Sequence, residues 1–168
     1  WLGVWPLRRS LRCLLVQVEV TEALLQKRGR RWRAGAPIAD NLWHYTTKLF
    51  DIMDEARQVK QFCEDKDIDL VAFDPLCEVQ AGDENLAHTT RPARQAFDSV
   101  IGSTRACIIA HHFNKGHIAL GGSPGMHWLR GSSAWYAWDD TVLLMTGKPG
   151  ARTAHLHIVK ARNREDAL

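Results

Sequence analysis

The run Leu70-Val71-Ala72-Phe73-Asp74-Pro75-Leu76 constrains this chain more than any other stretch. Apolar residues rich in β-formers end in one carboxylate and then a proline, the pattern of a buried central strand in a parallel sheet. Such a strand delivers Asp74 to the carboxyl edge of the sheet, where a carboxylate can hold a metal-bound phosphate. A second strand, Ala106-Cys107-Ile108-Ile109-Ala110, ends in His111-His112, and a third, Leu14-Leu15-Val16-Gln17-Val18, ends in Glu19. Any one of these polar residues alone reads as an ordinary strand terminus. Three converging at one rim supply a Glu to polarise water, an Asp to hold Mg²⁺ through water and a His to sense a phosphate, the apparatus of nucleotide hydrolysis apart from its phosphate cradle.

Periodicity extends this into an alternating plan. Strands are expected at Leu11 to Val18, Leu42 to Tyr45, Leu70 to Leu76 and Ala106 to Ala110, with helices over Thr21 to Arg33, Ile52 to Asp65 and a long segment ending near Thr104. Strands alternating with helices predict an α/β fold with a mostly parallel sheet and right-handed crossovers. Two late strands, Thr141 to Met145 and Ala154 to Val159, joined by Gly147-Lys148-Pro149-Gly150, predict a C-terminal β-hairpin. Asn114 to Gly125 reads as a long surface loop, of a length that is usually functional or disordered.

At 168 residues the chain is expected to form a single domain with a proper core, residues 1–12 being an irregular lead-in. No segment approaches the roughly 20 apolar residues that cross a bilayer, so a soluble, cytoplasmic protein without membrane partners is expected. A net charge of +3 does not by itself mark a nucleic-acid binder, although Lys27 to Arg33 concentrates five positive charges, either a solvated helix end or a phosphate contact. Four widely spaced cysteines, three of them in apolar runs, suit buried thiols in a reducing compartment. The chain starts at Trp1 without an initiator Met or a secretory leader, as a fragment would.

Taken together, these residues resemble the RecA-like motor domains of hexameric replicative helicases, closest to the RepA and DnaB branch, from about Leu14 to Arg164. Val18-Glu19-Val20-Thr21, with Arg28 nine residues after Glu19, is similar to the family's strand-end catalytic glutamate and the helix that follows. Leu70 to Leu76 looks like the Walker B strand, and Gly82-Asp83-Glu84-Asn85 resembles the acidic loop of RepA-like members. Ile108 to Lys115 resembles the strand carrying the γ-phosphate sensor, which places His112 at that position. Leu129 to Ala134 followed by Asp139-Asp140 looks like the segment after the DNA-facing loop, and Lys160-Ala161-Arg162-Asn163 matches the element that reaches a neighbour's nucleotide.

The resemblance implies ATP hydrolysis between subunits of a homo-oligomeric, hexameric ring. Asp74 organises Mg²⁺ through water, Glu19 activates water, His112 senses the γ-phosphate, and Lys160 and Arg162 stabilise charge on the adjacent protomer's nucleotide. Lys115, His117 and Arg130 would contact single-stranded DNA. The expected cofactors are Mg²⁺ and ATP. A non-catalytic DNA-binding or oligomerisation module with the same fold is the alternative.

The phosphate cradle is the part not found. Its pattern is Gly-x-x-x-x-Gly-Lys-Ser/Thr between a strand and a helix. The near match Gly3-Val4-Trp5-Pro6-Leu7-Arg8-Arg9-Ser10 has Arg8 at the second glycine and Pro6 in place of an N–H donor. Only a few residues then separate Ser10 from the next strand, whereas a covering helix needs about ten. An incomplete chain lacking the P-loop strand and helix, inactive or very weak alone, is the expectation. Gly121-Gly122-Ser123-Pro124-Gly125 fits a hydrolase nucleophile elbow with Asp140 and His155 behind it, but Pro124 lacks the N–H that an oxyanion hole uses. His155-x-His157 and His111-His112 give no closed zinc set. Trp135 and Trp138 share a helical face and read as packing, with base stacking by Trp128 a minor option.

Overall fold

The computed structural model describes residues 9–33, 40–83, 85–112, 133–147, 150 and 153–162, with the side chains of residues 32, 33 and 87 outside that set. Its elements run β1 (Cys13–Gln17), α1 (Glu22–Arg33), β2 (Leu42–Thr46), α2 (Ile52–Asp65), β3 (Leu70–Asp74), α3 (Leu76–Val79), α4 (Ala87–Ile101), β4 (Ala106–Ile109), α5 (Ser133–Trp138), β5 (Thr141–Thr146) and β6 (His155–Ala161). The chain divides into two compact units, Trp1–Gly82 with Pro92–His111, and Asp83–Arg91 with His112–Leu168.

The first unit holds a four-stranded sheet in the order β2-β1-β3-β4, with every neighbouring pair parallel. From β1 the chain steps outward to β2, whereas β3 lies on the other side of β1 and leads on to β4. The direction of winding reverses between β1 and β3, and in open α/β sheets the crevice outside the carboxyl ends at such a reversal is where ligands bind. Strand order alone thus singles out the residues that follow β1 and end β3.

Two helices are pinned to one sheet face by aromatic contacts. Phe73 of β3 meets Phe97 of α4 at 4.9 Å between ring centroids and Phe50, just before α2, at 6.3 Å, while Trp43 of β2 meets Phe62 of α2 at 6.4 Å. Leu14, Val16, Val71 and Phe73 are buried on that face. Truncating a core ring such as Phe73 to alanine costs about 3–5 kcal/mol. On the opposite face Leu15 and Ala72 are half-buried and Ile108 is 43% exposed.

Helix α2 shows why the sequence is readable here. Asp51 caps it by accepting a hydrogen bond from the Met53 amide at 3.0 Å, Asp54 and Glu55 complement the dipole, and Ile52, Ala56, Val59 and Cys63 form one buried stripe. It ends in a Schellman-like turn: Asp67 takes a positive φ of 48°, the Ile68 amide donates to Cys63 O at 2.9 Å, and Ile68 itself is buried. One feature departs from expectation: the one-turn helix α3 follows Pro75 directly. Pro92 sits inside α4, the long helix expected to end near Thr104. Of the four cysteines Cys63 is buried, whereas Cys13, Cys77 and Cys107 are half-buried, less covered than the pattern suggested.

In the second unit β5 and β6 pair antiparallel as expected, with a register irregularity between Val142 and Leu143. Alternation along β5 buries Val142 and Leu144, against which Tyr136 and Val159 pack. Trp135 and Trp138 do share a helical turn, their rings edge to face at 5.8 Å. The expected loop at 114–125, Trp128 and part of the hairpin turn lie outside the described residues.

Candidate functional site

At the reversal of the sheet, Gln17 and Asp74 are register partners on adjacent parallel strands and so present their side chains on the same face. Gln17 Nε2 donates to Asp74 Oδ2 at 2.6 Å. The other end of the same amide, Oε1, accepts the backbone N–H of Glu19 at 2.9 Å and of Val20 at 3.3 Å. That fixes the amide's orientation, because a flipped group would set its NH₂ against two donors and its oxygen against a carboxylate. Gln17 is 3% exposed, Asp74 is half-buried and Glu19 is exposed. One buried side chain therefore ties the residue ending β3 to the turn carrying Glu19. The Val18 amide adds a main-chain bond to Asp74 O at 3.3 Å.

Gln17 escapes a reading of strand ends because it sits inside an apolar run. A lone amide in such a run is itself a signal, since a buried amide must find partners.

His112 is the third residue after β4 and belongs to the second unit, as do Lys160 on β6 and Arg162 just beyond it. Lys115, His117 and Arg130 lie outside the described residues. In the second unit both expected charge-stabilising cations grip the carboxyl end of α5. Lys160 Nζ donates to Tyr136 O and, at 3.3 Å, to Ala137 O, and lies 4.9 Å from the centre of the Tyr136 ring. Arg162 donates to Ala137 O at 2.5 Å and to Asp140 Oδ1 at 3.0 Å. Unsatisfied carbonyls and the negative dipole end make a helix C-terminus a natural seat for cations. Beside them burial pushes the Asp139 carboxyl up to about 6, with Lys160 and Arg162 pulling it down and Asp140 adding to the rise.

The opposite, amino edge of the sheet is closed by ions. Arg9 reaches Asp69 with a fork of two bonds, Nη2 to Oδ1 at 2.6 Å and Nη1 to Oδ2 at 3.0 Å, and the Arg12 amide donates to Oδ2 at 2.9 Å. The Arg9 bond and then the Arg12 amide hold the Asp69 carboxyl down at about 2. Ser10 Oγ accepts from Asn41 Nδ2 at 2.8 Å. Arg9 and Ser10, the last two residues of the near match to a phosphate loop, thus belong to this edge.

The geometry fits Mg²⁺ chemistry in a particular way. Mg²⁺ is usually held by one or two carboxylates together with waters and substrate phosphates, not by an all-protein cage. Asp74, half-buried and with Oδ2 accepting from a neutral amide, is a donor of that kind. Among the described residues no group of three or more His, Cys, Asp or Glu could hold a metal ion.

A family model for the AAA domain matches residues 1–117. No curated protein matches the chain by sequence. Among solved structures, an isolated ATPase domain aligns with a TM-score of 0.67 at 12% identity, over 90% of this chain and 67% of that one. A DnaB-like replicative helicase, from a structure that also concerns its interactions with primase, aligns with a TM-score of 0.69 at 11% identity, over 90% of this chain and 45% of that one. The chain therefore spans about two thirds of the first and under half of the second. At such identities the likeness is one of fold, and it establishes the RecA-like α/β architecture that the alternating pattern predicts. Among the described residues no helix is long and apolar enough to cross a membrane.

Proposed function

The chain belongs to the AAA domain family, and from that premise we propose that it is the ATP-binding and ATP-hydrolysing core of a DNA helicase of the replicative kind, working as a homo-oligomeric ring on single-stranded DNA. The observation that carries this reading is the Gln17 bridge. It gathers a carboxylate suited to Mg²⁺ and the turn bearing a second carboxylate at the switch point of a parallel sheet.

Bound there, a magnesium nucleotide would bring a divalent charge that neutralises the β- and γ-phosphate oxygens as the bond breaks. The residues of this chain have the following parts. Asp74, its Oδ2 held by Gln17, would help hold the metal, which would supply positive charge at the phosphates. Glu19, exposed on its turn, accepts a proton from the attacking water. His112 reads the γ-phosphate. Lys160 and Arg162, seated on the α5 carbonyls, exchange those acceptors for the nucleotide of a neighbouring protomer. Lys115, His117 and Arg130 meet the DNA backbone. A phosphate loop works at the carboxyl edge of a sheet, so the placement of Arg9 and Ser10 at the amino edge supports a cradle supplied from outside the segment Gly3 to Ser10.

Calorimetric titration of the chain with ATP, with and without Mg²⁺, tests this. Binding should require Mg²⁺ and disappear in Asp74→Ala, while turnover by the chain alone stays far below that of a working helicase. Binding that ignores both Mg²⁺ and Asp74 refutes the proposal. Steeply salt-dependent affinity for single-stranded DNA without any nucleotide binding would instead mark a non-catalytic DNA-binding module.

A further inference from the structure

Resting on that reading of the carboxyl edge, we infer that Gln17 is a positioning residue that makes the Asp74 carboxylate and the Glu19 turn move as one body. Three observations converge. The side chain is almost fully buried at a rim where Glu19 is exposed and Asp74 half-buried, so its amide is held by the protein and not by solvent. Its donor end is spent on Asp74 and its acceptor end on two consecutive backbone N–H groups of the Glu19 turn. The two strands it links flank the point where the winding of the sheet reverses.

Only glutamine meets these demands among the common side chains. Asparagine is one methylene too short to span strand and turn together. Glutamate keeps the acceptor for the turn but sets a like charge against Asp74. Methionine has the length and neither polar end. The consequence is that a displacement of the Asp74 carboxylate is passed to the peptide groups that aim Glu19. The metal-side and water-side carboxylates then stay at a fixed separation through the cycle, as preorganised sites require.

Backbone amide hydrogen exchange, read residue by residue by NMR on the full chain, tests the tie without any turnover. In the native sequence the Glu19 and Val20 amides should be protected, and Asp74→Ala should speed their exchange about threefold or more, because Gln17 loses its anchor. Gln17→Met should abolish protection at those two amides while Val71 and Phe73 stay protected, which certifies the fold. Gln17→Glu should keep the two amides protected but make them indifferent to Asp74→Ala. Equal exchange at Glu19 and Val20 in native and Asp74→Ala chains overturns the inference, even if the Gln17 variants do not fold. A parallel titration with Mn²⁺ and ATP, followed by the manganese resonance, separates the two levels. Gln17→Met should weaken binding severalfold, short of the loss in Asp74→Ala. Coupled amides in a chain that binds no manganese nucleotide would sink the helicase reading and leave the tie standing, whereas uncoupled amides in a chain that does bind would sink the tie alone.

Discussion

Two aspartates frame the same strand, and their surroundings differ in kind. Asp69, immediately before β3, has both oxygens occupied, by the Arg9 fork and the Arg12 amide, and its proton affinity is depressed to about 2. Asp74, which ends β3, accepts one bond at one oxygen from a neutral amide. The first carboxylate is already neutralised by fixed partners and has little left for a ligand. The second is met at Oδ2 by a neutral donor, with no cation in the bond. Charge at a strand end does not by itself mark a site; what distinguishes the two is how much of the carboxylate's bonding capacity the fold has consumed.

Exchanging the losses is the strongest way to break this comparison. Asp74→Ala should weaken Mg²⁺-dependent nucleotide binding by tenfold or more, roughly 1.4 kcal/mol at the least, and cost about 1–3 kcal/mol of unfolding free energy, because it strands the buried Gln17 amide donor. Asp69→Ala should leave nucleotide binding intact and cost no more than about 1 kcal/mol of stability, because the Arg9 guanidinium is 65% exposed and water replaces the lost partner. The Asp69 contribution also has a definite pH window. Its folded value lies below the ordinary 3.8, so its stabilisation is present above about pH 4 and fades as pH falls toward 2. The difference between native and Asp69→Ala unfolding should shrink across that interval. Nucleotide binding lost in Asp69→Ala and kept in Asp74→Ala would invert the assignment of edges.

A third aspartate sharpens the contrast from the other side. Burial raises Asp139 to about 6 despite Lys160 and Arg162 nearby. A carboxyl whose folded value lies above its unfolded one favours the fold when protonated, so its contribution worsens as pH rises from about 4 through 6 and is worst above that. Asp139→Asn should therefore stabilise the chain at pH 8 by on the order of 2 kcal/mol and do little at pH 4. Urea denaturation at the two pH values decides it; an equal effect at both would mean that the carboxylate is adequately solvated or paired.

Much of this arrangement is legible without any coordinates. Helix α2 reads with its observed limits because cap, first-turn acids and buried stripe all agree. β3 is visible because an apolar run ending in Asp-Pro has few other uses. α3 escapes because one turn is too short to show a period. α4 is visible as a long helix although Pro92 sits inside it. At the site, charged residues at and after the strand ends are legible and the neutral amide that ends β1 is not: attention to Glu19 and Asp74 misses Gln17, whose importance lies in three partners, one of them 57 positions away. The same holds for Lys160 and Arg162, whose motif is plain but whose contacts with α5 carbonyls more than 20 positions back depend on how β6 lies beside that helix.

Those contacts carry the smallest expected effect and bear on whether the two cations are free to act elsewhere. Arg162 is about half exposed, and exposed ion pairs are worth roughly 0–1 kcal/mol. Arg162→Ala and Lys160→Ala should each lower thermal stability by no more than about 1 kcal/mol, the scale of a helix-end interaction. A small cost is what a residue that alternates between its own helix and a neighbour's nucleotide requires, since leaving α5 must be repaid by charge stabilisation across the subunit boundary. A loss of several kcal/mol in either variant would make that cation a fixed brace of α5, unable to let go, and the charge-stabilising part would then have to fall to the other one.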